Sequence, residues 1–219
     1  MRPILFLFMA LASFGTYSQR GAYNDGSRKA IPSEILSISI SPLSLLDMYN
    51  GSSYKAGLTI RPLRNVRLSA DAGGYWKQFS NKLSFWQDLK GYNFRASAGI
   101  YLGQLSPISL GVEYSYKSQE FNYNDSVPDL PGFTAHVNKF VHVFNVYGSF
   151  EQYFTNRFYI ELRAGIGLRY RDIYNTHSDA LSESINWWDS MTRGRITTMK
   201  KSMPNLNFAI RLNYILWEN

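Results

Sequence analysis

Met203 to Leu216 reads Met-Pro-Asn-Leu-Asn-Phe-Ala-Ile-Arg-Leu-Asn-Tyr-Ile-Leu. In an extended chain, successive side chains point to opposite faces. Leu206, Phe208, Ile210, Leu212, Tyr214 and Leu216 therefore share one side, with Asn207, Ala209, Arg211 and Asn213 on the other. An alternation of this length, greasy on one face and polar on the other, is what the wall of a membrane β-barrel requires.

Working back from that stretch, the same dyad recurs seven more times. The segments are Glu34–Ser41, Ser53–Arg61, Val66–Trp76, Tyr92–Leu102, Ile108–Lys117, Phe140–Phe154 and Arg157–Arg171. The sixth starts out of phase, because Val141 and Val143 fall on the polar side; a bulge or emergence above the bilayer accounts for either valine. The joining segments alternate in length. Pro62–Asn65, Gly103–Pro107 and Thr155–Asn156 are tight turns, whereas Pro42–Ser52, Lys77–Gly91, Ser118–Lys139 and Asp172–Ser202 are long. Short turns at one end and long loops at the other fit an even-stranded barrel. The expectation is all-β: an eight-stranded antiparallel transmembrane up-and-down β-barrel over residues 33–219.

The 219 residues suffice for one such domain. Aromatic residues make up 16 %, with 16 Tyr, 14 Phe and 5 Trp, as expected where rings gird two membrane interfaces. Mean hydropathy is −0.26, which is no objection, because barrel strands hide their apolar content in alternation. The absence of cysteine excludes disulfides, a lipidated N-terminal cysteine and thiolate chemistry. The formal charge of +7 is scattered along the strands, which favours anionic glycolipid over nucleic acid as the neighbour.

At the N-terminus, Arg2 precedes an apolar run from Ile4 to Phe14, and Thr16 and Ser18 are small residues ahead of Gln19. This pattern reads as a cleaved export signal over residues 1–18, followed by a polar periplasmic lead-in over 19–32. The expected location is the outer membrane of a Gram-negative cell.

The polar face carries the chemistry. Lys55, Arg67, Arg95, Arg163, Arg169 and Arg211 point inward on this register, as do Asp71, Glu113, Glu151 and Glu161. Eight strands leave room only for side chains, and isolated buried charge is very costly. The set is therefore read as an interlocking ionic plug, with a conducting path as the alternative. Gly57, Gly73, Gly99, Gly111, Gly165 and Gly167 leave space for long neighbours or bend the strands. Gly165-Ile166-Gly167 lacks the third glycine of a phosphate-binding turn.

His136, His142 and His177 have no metal-ligand spacing, and no cofactor is expected. His142 with a serine such as Ser115 is the pair a lipid-modifying barrel enzyme would use, but an ordinary histidine at the rim is the plainer reading. In the last long loop, Trp187 and Trp188 precede Arg193, Arg195, Lys200 and Lys201. Rings beside a basic run suit glycolipid phosphate, sugar or a protein partner, or else pack on the barrel mouth.

The export signal, eight amphipathic segments and loop alternation together resemble small outer-membrane barrels of the OmpA/OmpX type. More narrowly, Ser37-Ile38-Ser39-Ile40-Ser41-Pro42 and Asn205–Tyr214 resemble uncharacterised porin-like barrels of Bacteroidetes-type bacteria. The resemblance implies a non-enzymatic structural or surface-binding protein. It also implies contact with outer-membrane lipid, lipopolysaccharide and the barrel-insertion machinery, and a candidate protein or glycan partner at the external loops. Such barrels end on Phe. This chain ends Leu216-Trp217-Glu218-Asn219, so Tyr214 or Trp217 would carry the insertion signal. A narrow channel, a lipid A-modifying enzyme and a soluble lipocalin-like carrier are the competing readings.

Overall fold

The computed structural model describes residues 34–42, 53–63, 65–75, 86–102, 106–127, 130–176 and 199–218. The expected signal and lead-in lie outside them. Eight strands follow in order: β1 (Glu34–Ile40), β2 (Ser53–Leu63), β3 (Val66–Tyr75), β4 (Trp86–Tyr101), β5 (Ile108–Val127), β6 (Leu130–Tyr153), β7 (Phe158–Asn175) and β8 (Met199–Glu218). Each pairs antiparallel with its neighbours in sequence, and β1 closes onto β8. The chain is thus an all-β, up-and-down, closed barrel.

The register fixes the barrel's dimensions. From Ile38, directly opposed residues run through Leu58, Ala70, Ala96, Tyr114, Phe144 and Leu168 to Pro204. Ile38 itself, however, sits opposite Tyr214, ten residues further along β8. That stagger over eight strands gives a tilt of about 40° and a backbone radius of about 8 Å. An interior this narrow holds side chains and little else.

Two expectations are corrected. Most of Ser118–Lys139, read as a loop, belongs to a long β5–β6 hairpin that stays paired to Val127 and Leu130. Pairing there continues through residues with no apolar period, because the backbone ladder does not need one. The phase break in β6 is not a bulge. Its register with β5 and β7 is continuous past residue 141, and Val141 and Val143 are buried on the inner face. The interior there mixes buried apolar side chains, Leu89, Phe121, Val137 and Ile173, with buried Gln119, Lys139 and Arg171.

The faces separate as the alternation demands. Leu206, Ile166, Leu168, Val146 and Val112 are each at least 60 % exposed on the outside. Arg67, Glu161, Arg163 and Arg211 are enclosed. Some of the inner glycines exist for their neighbours' bulk. A Cβ on Gly99 would stand 2.8 Å from the Tyr147 hydroxyl, and one on Gly57 would stand 2.0 Å from the Asp71 carboxylate.

β8 also accommodates Pro204 in mid-strand. The Ile215 amide donates toward the β7 side, to Arg157 O at 2.8 Å, so odd-numbered amides of β8 face β7 and even-numbered ones face β1. Described β1 ends at Ile40, opposite Leu212. The missing Pro204 donor therefore costs the β7 ladder nothing.

Candidate functional site: a closed ring of charge

Inside the barrel the arginines and carboxylates form a circuit. Glu161 of β7 accepts from Arg163 Nη2 at 2.8 Å, and Arg163 Nη1 reaches Glu113 of β5 at 2.7 Å. Glu113 faces Arg95 of β4 at 3.8 Å, and Arg95 Nε donates to Asp71 of β3 at 2.6 Å. Asp71 accepts from Arg211 of β8 at 2.6 Å, and Arg211 Nη1 returns to Glu161 at 3.1 Å. Three cations and three anions alternate around a closed loop drawn from five strands.

A tail hangs from this ring toward the short-turn end. Arg67 bridges Glu161 at 2.8 Å and Glu151 at 2.9 Å, and Arg61 reaches Glu151 at 2.7 Å. Neutral side chains fill the remaining lone pairs. Tyr101 and Tyr153 hydroxyls donate to Glu151 at 2.6 and 2.9 Å. Asn207 donates to Glu113 at 2.8 Å, and the Ser39 hydroxyl to Asp71 at 3.2 Å. The Arg163 guanidinium lies 4.1 Å from the centre of the Tyr147 ring. Buried charge persists where each ion is paired and its other hydrogen-bonding capacity is met, and each carboxylate here contacts at least two arginines.

Eight of the ten expected lumen residues meet in this network. Lys55 is half-buried opposite Gly73. Arg169 connects to the network through neutral side chains. It hydrogen-bonds Asn205, which donates to Asn145 at 2.8 Å, and Asn145 donates to Glu113 at 3.3 Å. The sequence reading omitted Arg61, Tyr101, Tyr147 and Tyr153. Arg61 lies on the polar side of its strand, and its parity was the available signal. Trp187, Trp188, Arg193 and Arg195 lie outside the described residues.

Elsewhere the chemistry is sparse. Among the described residues no cluster of His, Asp and Glu could hold a metal ion. His142 lies on the outer face, with Nδ1 2.9 Å from the Tyr114 hydroxyl and its ring 4.9 Å from that of Tyr116. Ser115 is opposite Val143, an inward residue, so His142 and Ser115 occupy opposite faces of the wall. A shallow groove on the outer wall, lined by Ile38, Leu58, Phe158, Leu212 and Tyr214, is almost wholly apolar. No protein-family model matches the chain, and no curated protein is similar to it at a significant level.

Proposed function

We propose that this chain is an outer-membrane barrel of the small OmpA/OmpX-like kind, plugged by its own side chains, that serves as a structural or surface-binding protein through its long-loop end. The observation that carries this reading is the composition of the outer face. Outward positions from Tyr54 to Ile60, Val66 to Ala72, Tyr92 to Leu102, Ile108 to Tyr116, Phe144 to Phe154, Phe158 to Tyr170 and Pro204 to Leu216 include no Asp, Glu, Lys or Arg. Exposed apolar surface on that scale far exceeds the few hundred Å² a water-soluble monomer tolerates. Lipid is the solvent that matches it.

Rings mark both rims of the band. Tyr92, Tyr116, Tyr170 and Tyr174 lie toward the long loops, and Phe154, Phe158 and Trp217 toward the short turns. Aromatic belts of this kind suit membrane interfaces. The outward contact of Lys200 with Asp172 at 3.5 Å lies at the level of the upper belt, where Asp172 sits between Tyr170 and Tyr174 on β7. The ionic ring supports a sealed lumen over a channel, since a permeating ion would have to displace paired groups.

The test is reconstitution. The full chain should require detergent or lipid to stay folded, migrate differently on gels when boiled, and give no steps of conductance in a planar bilayer. A folded, monodisperse protein in plain buffer would remove the membrane reading. Stable unitary conductance would replace the plug with a pore.

A further inference from the structure

We infer that the outer wall around His142 seats a glycolipid, its head held by hydrogen bonds from His142 and Tyr170 and its acyl chains lying on the wall below. It rests on the reading of a membrane barrel with a surface-binding end and names a lipid partner for that end.

Phe94, Tyr116, His142 and Tyr170 stand directly opposite one another across β4 to β7, and Tyr92 is one outward step above Phe94. Ring centres are 5.9 Å apart for Tyr92 and Tyr116, 4.9 Å for Tyr116 and His142, and 6.2 Å for His142 and Tyr170. By the barrel's tilt and stagger these four share a height to within about 6 Å and cover three strand spacings, about 14 Å. Among the described residues of the apolar wall, His142 is the one histidine. Its Nδ1 lies 2.9 Å from the hydroxyl of Tyr114, one outward step below Tyr116. A phenol is the better donor of the two and an imidazole nitrogen the better acceptor, so Nδ1 accepts and the ring proton sits on Nε2. Neither Nε2 nor the Tyr170 hydroxyl has a hydrogen-bond partner among the described residues.

Two donors on adjacent strands at the long-loop rim of an apolar wall call for acceptors, because a polar hydrogen left unpaired against hydrocarbon is costly. Asp172 and Lys200 look onto the site from the next outward row as an ion pair at 3.5 Å. The site thus offers hydrogen bonds and ring faces without net charge. Sugar hydroxyls and acyl carbonyls suit it better than a bare phosphate, which would meet Asp172. A row of rings four strands wide is also broader than a phosphodiester head and gives a sugar a face to rest on. Below it, Phe144, Val146, Ile166 and Leu168 are all exposed on the same two strands, a wall on which acyl chains can lie. Tyr114 is a positioning residue: it acts through His142, by fixing the ring and its proton.

The test is nitrogen NMR of the histidine-labelled full chain in phosphatidylcholine bicelles, titrated with lipid A or, separately, with phosphatidylethanolamine. Lipid A should shift the His142 Nε2 signal to saturation, the signal being identified by its loss in His142→Phe. Phosphatidylethanolamine at the same concentration should leave it in place. Tyr170→Phe should weaken lipid A binding about two- to tenfold, the loss of one hydrogen bond. Tyr114→Phe should move the Nδ1 and Nε2 signals before any lipid A is added, a change that a purely structural role for Tyr114 would not produce. Tyr54→Phe, on β2 four strands from β6, should change binding by less than about twofold. Heat-modifiable gel migration checks that each variant folds. No response to lipid A overturns the site. An equal response to phosphatidylethanolamine, or equal weakening by Tyr54→Phe, overturns it too, leaving only a general aromatic belt. A protein that needs lipid to fold and does not conduct, yet shows no His142 response, refutes this inference alone and leaves the plugged barrel standing.

Discussion

Glu161 has the most to lose of any residue in the ring. Arg163, Arg67 and Arg211 all lie within 3.1 Å of its oxygens, and its side chain is fully enclosed. Neutralising it takes from each of three guanidinium groups one of its two carboxylate partners. Removing one partner of a buried ion pair typically costs about 3–5 kcal/mol. Glu161→Gln keeps the shape and one acceptor, so the loss it causes is electrostatic. Urea unfolding in lipid vesicles should show a loss in that range. A change below about 1 kcal/mol would mean that water or neighbouring groups already screen the site.

At the scale of the strand, Pro204 gives a sharper test than any core residue. Its ring nitrogen faces the side on which described β1 has already ended, and its neighbour Met203 presents its amide to Arg169 of β7. Exchanging the two (Met203→Pro with Pro204→Met) keeps composition while removing one ladder donor. An unsatisfied amide acceptor in the wall costs about 1–3 kcal/mol, and the urea midpoint should fall accordingly. An unchanged midpoint would show that β8 is loosely held at this height. Strand parity also explains what the sequence made legible. Alternation placed Arg67, Asp71, Arg163 and Glu161 on the inner face, because a side chain's face depends only on its place in the strand. The same rule was available for Arg61 and Tyr101. Arg61 sits beside Pro62 and resembles a turn residue, and a tyrosine on the polar side raises no signal in a hydropathy pattern. Val141 and Val143 misled in the opposite sense, since apolar residues on the inner face mimic a break in phase.

For the molecule as a whole, the ten-residue stagger was not legible. It depends on how the first strand meets the last, and no local pattern encodes that pairing. Which inner charges share a height follows from it, so the set could be placed on the right face but not divided into a ring and a tail. The proposal that lipid surrounds the barrel is tested by one outward substitution. Val112 is 60 % exposed in the middle of the apolar wall. Val112→Arg should cost about 2–4 kcal/mol if that wall faces the bilayer midplane, measured by unfolding from vesicles. In a water-facing wall the same change would be close to neutral.

Arg211 ties Asp71, from the first half of the chain, to Glu161, from the second. The circuit is therefore open until β8 docks, and a wall still missing that strand would harbour two carboxylates each short of a guanidinium. On the proposed membrane reading, entry of the polypeptide into a low-dielectric slab is coupled to its completion: a half-assembled intermediate carries an electrostatic penalty that the finished cylinder abolishes in a single step, which favours all-or-none maturation over gradual insertion of hairpins.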